Sequence, residues 1–139
     1  MKLSARSRYG TRMMVDLARN YAKGPIRLCS IAEREGLSLK YLEQLIIPLK
    51  KANFIKSVRG PKGGHMLANP PEDISIGAIV EVLENKTGLS VCIDNPELCD
   101  RINICPTRSV WEIATKAMFK TLNSITLADI IKRNMLIKD

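Results

Sequence analysis

Histidine is almost missing from this sequence: His65 is the single copy in 139 residues. A Ser-His-Asp or Cys-His centre would have to be built on that residue, and a zinc site of several histidines cannot be assembled. No paired carboxylates sit on a convincing element either, which leaves an enzyme as the least favoured class. Long apolar runs are absent too: no uncharged stretch approaches the roughly 18 residues of a membrane span. The basic N-terminus, Met1–Arg8, has no apolar run behind it and does not read as a secretory signal. The expectation is a cytoplasmic chain with no membrane partner. Four cysteines in a reducing compartment point to metal binding or redox work rather than structural disulfides.

What is present is ordinary globular material, 45% hydrophobic and 26% charged. The length is one domain's worth and suffices for a core without disulfides. Charge is unevenly placed within a net of +8. Residues 1–69 carry fourteen Lys/Arg against four Asp/Glu, whereas residues 70–139 carry eight against ten. A basic first half on a faintly acidic second half suits a nucleic-acid-binding module joined to something else. A basic face with no polyanion partner is the bland alternative.

Ser4 can cap a helix of about five turns whose apolar face is Met13, Met14, Leu17, Ala18 and Tyr21, ended by Gly24-Pro25. Leu28–Glu35 reads as a short helix stopped by Gly36, a residue suited to the left-handed C′ position. Ser38 caps a third helix with Leu42, Leu45, Ile46 and Leu49 inward. Pro48 lies inside it and should kink or split it near Ile47. Two short helices around a glycine turn form a helix-turn-helix signature. The segments 54–58 and 65–68, joined by a Gly-rich turn, predict a β-hairpin wing. Beyond Pro70-Pro71 come a short helix ending at Glu84, a non-periodic stretch 85–107, and a long helix through Val110, Ile113, Ala114, Ala117, Met118 and Leu122. Ser124 is expected to cap a last turn or two. The expected fold is therefore mostly α with a small β-hairpin, a winged helix-turn-helix with a long C-terminal helix. The division is 1–70 for nucleic-acid binding and 71–139 for the cysteine loop and dimerisation helices. The long helix reads as a dimer interface, with a helix folded back on the wing core as the alternative.

In the third helix the inward positions leave Ser38, Lys40, Tyr41, Glu43 and Gln44 facing out. Gln can read adenine bidentately, and Glu can accept from the cytosine amino group in the major groove. A solvated helix face is the competing reading of Glu43. Arg59 stands at the tip of the wing, where a guanidinium can enter a narrow minor groove. Lys62, Lys56, Lys2, Arg6 and Arg8 are read as phosphate contacts, which set register without reading sequence. His65 is read as packing at the wing base, with proton sensing as the minor alternative. Cys92, Cys99 and Cys105 are spaced C-x6-C-x5-C in a loop broken by Pro96 and Pro106. That spacing matches no common ferredoxin or zinc-finger pattern. It leaves an iron–sulfur cluster, a three-thiolate zinc site and a redox thiol open. Cys29 is expected to be a small buried hydrophobe.

Met1–Ser4, Arg8-Tyr9-Gly10, Tyr41–Leu45, Pro48–Ala52, Ser57–Pro61 with Gly63-Gly64, Pro70–Ile74, Val110-Trp111 and Ser124–Asp129 resemble the Rrf-two family of bacterial winged-helix regulators. With three cysteines in 92–105, the chain is most similar to its cluster-binding, IscR-like branch. The resemblance implies a homodimer on an imperfect palindrome in double-stranded promoter DNA. It gives base contacts to Ser38, Glu43 and Gln44 and a minor-groove role to Arg59. It also implies an iron–sulfur cluster on Cys92, Cys99 and Cys105, two-iron two-sulfur favoured over four-iron four-sulfur. The family's usual fourth ligands do not carry over. The histidine position is Arg108 here, and the position of a partner carboxylate is Arg8, leaving Asp94, Glu97, Asp100, the partner subunit or an outside thiol. A regulator of the same fold sensing thiol oxidation, nitric oxide or another ligand is the first alternative, and a small iron–sulfur carrier docking on an acidic partner the second.

Overall fold

The computed structural model describes residues 2–137. The elements run α1 (Ala5–Arg19), α2 (Leu28–Glu35), α3 (Leu39–Lys51), β1 (Ile55–Val58), β2 (Gly64–Leu67), α4 (Ile76–Leu83), α5 (Val91–Asp94), α6 (Arg108–Asn123) and α7 (Leu127–Ile137). Single 3-10 turns occupy Pro71–Asp73 and Pro96–Leu98. The architecture is the expected winged helix-turn-helix: a mostly helical chain with one antiparallel hairpin. No helix among the described residues is long and apolar enough to cross a membrane.

Local signals set most boundaries. The Ser4 hydroxyl accepts from the Ser7 N–H, that of Ser38 from Tyr41 and that of Ser75 from Ala78, each closing an exposed helix start. Gly36 ends α2 at φ +64, a left-handed turn that a side chain would strain. Met13, Met14 and Leu17 of α1 meet Ile31 of α2, Leu42, Leu45 and Leu49 of α3, and Ile79 and Leu83 of α4 in one core. Each such side chain, when fully buried, contributes about 1.5–3 kcal/mol of transfer free energy. Gly10 lets α1 approach α4 closely, because a Cβ there would overlap Leu83. The core also includes Leu127 at the start of α7. It therefore runs through both the basic and the acidic segments of the sequence.

Several local expectations need correction. The first helix stops at Arg19, five residues before Gly24-Pro25. Asn20 turns back to hydrogen-bond the Asp16 carbonyl, and Ala22 takes a left-handed φ of 65°. Tyr21 is thereby left exposed. Pro48 neither splits nor ends α3, which is continuous from Leu39 to Lys51. The proline deletes one backbone bond, but the Ala52 N–H still reaches the Pro48 carbonyl at 3.0 Å, and Leu45, Ile46 and Leu49 keep the helix in the core. Cys29 is exposed rather than buried, since α2 turns Leu28, Ile31 and Ala32 inward. The 85–107 stretch contains two single-turn helices, 91–94 and 96–98. Ser124 closes α6, and Thr126 with Asp129 caps α7 through reciprocal bonds of 3.1 and 2.9 Å.

Candidate nucleic-acid interface and cysteine loop

In α3, burial of Leu42, Leu45, Ile46 and Leu49 turns Lys40, Glu43 and Gln44 to solvent, with Ser38 exposed at the cap. Tyr41 is half-buried and meets Tyr9 of α1 edge-on, ring centroids 6.0 Å apart. The guanidinium of Arg8 lies 5.3 Å from the Tyr9 ring centre and that of Arg12 5.9 Å. α3 is thus keyed to α1 through a tyrosine pair, with the Arg8 and Arg12 guanidinium groups close to the Tyr9 ring.

Two ion pairs fix α2 against α1. Arg34 binds Asp16 bidentately at 2.7 and 3.0 Å, and Arg12 binds the Glu35 carboxylate at 3.0 and 3.2 Å together with the Glu35 carbonyl. Asp16 is 4% exposed, so its charge is compensated where water cannot do it. Nothing in the sequence reading picked out these four residues. The visible signal was a carboxylate inside the apolar run Met13–Ala18.

The wing pairs Ile55 with Leu67 and Val58 with Gly64. Ile26 adds a third short edge by exchanging backbone bonds of 2.8 and 2.9 Å with His65. Gly64 must be a glycine, because a Cβ there would overlap the Ile26 backbone. Arg27 reaches the Pro61 carbonyl at 3.1 Å and steadies the turn that carries Arg59 and Lys62, both exposed. His65 lies opposite Ser57, one pair from the wing turn and not at the wing base as expected, with Nδ1 2.8 Å from the Ser57 hydroxyl. Burial, and then the nearby Lys50 charge, push its pKa down.

Lys2, Arg6 and Arg8 are exposed around the start of α1. Glu84, the cap residue after α4, accepts from the Ser4 N–H at 2.8 Å and the Ser7 hydroxyl at 2.6 Å. Burial alone would raise its carboxyl pKa, but these hydrogen bonds and the Arg6 charge bring it below its usual value.

The three loop cysteines are partly exposed. Cys92 lies in α5 with Sγ 3.3 Å from the Ser90 hydroxyl; Cys99 ends the 96–98 turn; Cys105 precedes α6 with Sγ 3.2 Å from the Thr107 hydroxyl. That hydroxyl first, then the N–H groups of Arg108 and Thr107, lower the Cys105 pKa. Among the described residues no three His, Cys, Asp or Glu side chains are gathered closely enough to hold a metal ion. The sulfurs would have to converge to do so. Asp94 is already engaged, accepting from Thr87 at 3.1 Å and Gly88 at 2.8 Å. Arg108 turns along its helix toward Glu112, 3.7 Å away. Asn95 Nδ2 and Arg108 Nε are buried without a partner among the described residues. Three partly exposed thiols with unpartnered nitrogens on Asn95 and at the start of α6 are of the residue chemistry that a thiolate-held cluster uses, its sulfurs accepting N–H groups.

A family model described as Rrf2, iron-dependent transcriptional regulator, matches residues 3–133. Protein rrf2 of Nitratidesulfovibrio vulgaris is 45% identical over 132 residues, covering 95% of this chain and 88% of that protein. The structure of T. potens IscR is similar with a TM-score of 0.77 and 46% identity, covering 96% of this chain and 88% of that one. CymR, the global cysteine regulator of B. subtilis, is similar with a TM-score of 0.81 and 36% identity, over 96% and 98% of the two chains.

Proposed function

The chain belongs to the Rrf2 family of transcriptional regulators, which are not enzymes, and from that premise we propose a homodimer that grips an imperfect palindrome in promoter DNA and adjusts that grip through an iron–sulfur cluster on Cys92, Cys99 and Cys105. The observation that carries the DNA half is the division of α3: four apolar residues buried, and Ser38, Lys40, Glu43 and Gln44 exposed at a capped helix start. The 1–70 segment reads DNA, and the 71–139 segment holds the loop and the dimer contact over the shared core.

Ser38, Glu43 and Gln44 meet base edges in the major groove, and Arg59 enters the flanking minor groove. Tyr41 acts through Tyr9, holding the helix at its angle to α1. Lys2, Arg6, Arg8, Lys40 and Lys62 neutralise phosphates and fix the register. Paired recognition helices on a two-fold axis require half-sites about one helical turn, ~34 Å, apart.

When bound, an iron–sulfur centre supplies the loop with a charge that responds to redox state and oxygen. Cys92, Cys99 and Cys105 would hold it, two-iron two-sulfur being the proposed form. The chain's own part is to bring α5, the 96–98 turn and the start of α6 together and to keep Arg108 beside them as a cation, not a ligand. Val110, Trp111 and Ile113 on α6 are exposed and apolar and form the proposed dimer contact. The free, partly exposed thiols favour one other reading, a thiol-state sensor with the same DNA half.

Purification without oxygen, with an absorption spectrum and iron and sulfide assays, separates the two. Iron and sulfide that disappear on replacing the three cysteines by Ala support the cluster. A colourless protein whose operator binding responds to thiol oxidants supports the second reading. Log affinity for the operator should fall with log salt at about 0.9 per phosphate neutralised, or a slope near −5 for about six contacts.

A further inference from the structure

The N-terminal segment Lys2–Arg8 and the cysteine loop are far apart in sequence, yet one carboxylate joins them. Glu84 ends α4 with its backbone extended and is the first residue of the connection that leads to Cys92. Its Oε1 takes both the Ser4 N–H and the Ser7 hydroxyl, and Ser7 is 1% exposed. Among the described residues, these are the only hydrogen bonds from residues 2–8 to anything beyond α1. The position is favourable for an anion, since the first N–H groups of a fifteen-residue helix are unpaired and its dipole is positive there.

The other end of the connection is tied as well. Asp94, two residues past Cys92, holds the N–H groups of Thr87 and Gly88. A contiguous path therefore runs from Cys92 through Asp94 and residues 87–88 to Glu84, and from Glu84 to the helix start that carries Lys2, Arg6 and Arg8. Beside this path lies a cavity of about 230 Å³, lined by Lys2 and Leu3, by Glu84 itself and by Lys86, Thr87 and Phe119. Glu84 thus lies where the segment and the loop meet one cavity.

We propose that Glu84 is a positioning residue for DNA binding, which couples the order of the cysteine loop to the placement of the phosphate-contacting segment Lys2–Arg8. The coupling rests on the DNA and loop roles set out under Proposed function. It adds the residue through which one reaches the other. A loop drawn together at its sulfurs pulls on residues 87–88, and Glu84 passes the shift to Ser4 and Ser7. Chains of hydrogen bonds of this kind can carry energetic coupling between separate sites.

The test is a double-mutant cycle on the full chain, anaerobically loaded with iron and sulfide and compared with the Cys92→Ala, Cys99→Ala, Cys105→Ala triple variant. Operator affinity and amide hydrogen exchange at residues 4–8 are the two readouts. With Glu84 intact, the triple replacement should change affinity by about ten-fold, an ordinary coupling, and alter exchange at 4–8. In Glu84→Ala the same replacement should change affinity by less than about two-fold and leave that exchange unaltered. Glu84→Gln keeps an acceptor oxygen and should restore most of the coupling. Ser7→Ala removes one of the two bonds to Glu84 and should weaken the coupling in part, which keeps the test open where Glu84→Ala melts early. A loop effect that persists undiminished in Glu84→Ala or Ser7→Ala overturns the coupling while leaving the sensor reading intact. A triple replacement without effect even when Glu84 is present overturns the sensor reading, and the coupling with it.

Discussion

Residues 5–83 and residues 85–123 are built to different standards of completeness. Nearly every buried apolar side chain lies in the first region, where four helices and two strands close on Met13, Met14 and Leu45. The second region has no buried residue in α5 or in the sixteen residues of α6. It exposes Ile113 at 68%, Ile104 at 68% and Trp111 at 42%, and it contains both buried nitrogens without partners. A finished module gives a fixed surface for reading DNA. An unfinished one leaves apolar faces and polar donors unsatisfied, which is what the proposed second subunit and bound group would complete.

Truncation is the sharpest test of that contrast. Leu45→Ala should cost about 2–5 kcal/mol in urea unfolding, as a core deletion does. Val110→Ala should cost under about 0.5 kcal/mol when the chain is monomeric. Equal costs at the two positions would erase the distinction. Next in size is the subunit contact. Trp111→Glu combined with Ile113→Glu should yield monomers in sedimentation and weaken operator binding about 100-fold, because charged groups replace the centre of an apolar contact. The winged half should keep its helix content, and a double variant that stays dimeric would place the interface elsewhere.

Smaller effects distinguish the kinds of DNA contact within the finished half. Gln44→Ala should relax discrimination at one base pair by about 1–3 kcal/mol with little change in salt dependence. Lys62→Ala should weaken all sequences alike and reduce the salt slope by about one. A panel of operators with single base changes, titrated at several salt concentrations, resolves the two. A Gln44→Ala variant that loses affinity uniformly would show that α3 does not read bases there.

The contrast also explains what could be read from the sequence. Ser4, Ser38 and Gly36 act within four residues of themselves, so the helix-turn-helix and its boundaries were legible. The apolar periodicity of α3 gave its buried face and the outward Lys40, Glu43 and Gln44, but not Tyr41, whose partner Tyr9 lies on another helix. Pro48 misled because the cost of a proline is local while the packing of Leu45, Ile46 and Leu49 that outweighs it is not. Cys29 misled because composition favours burial, whereas one step around α2 decides it. The pairs Asp16–Arg34, Arg12–Glu35 and Glu84–Ser7 join residues 18, 23 and 77 apart, and no local pattern announces such partners. The cysteine spacing revealed three ligand candidates, but convergence of the sulfurs is a property of the loop's fold that spacing does not encode.

The mildest test concerns pH, and it again separates the two regions. His65 lies in the second strand of the wing with its backbone bonded to Ile26 and its ring to Ser57. Burial and the neighbouring Lys50 hold its pKa below the ordinary 6.5. The unfolded chain therefore takes up the imidazole proton at a higher pH than the folded chain does. Wherever the unfolded state binds more protons, stability rises with pH. The contribution is complete above about 6.5 and is lost as pH falls through the folded value. Urea midpoints measured from pH 7.5 down to 5 should decline by an amount smaller than any effect above. His65→Phe, which keeps a ring in the wing and removes the proton, should flatten that part of the decline. Replacing Cys92, Cys99 and Cys105 by Ala should leave it unchanged, since no thiol lies in the wing. A decline that survives His65→Phe in full would assign the acid sensitivity to some other group and leave His65 with packing alone.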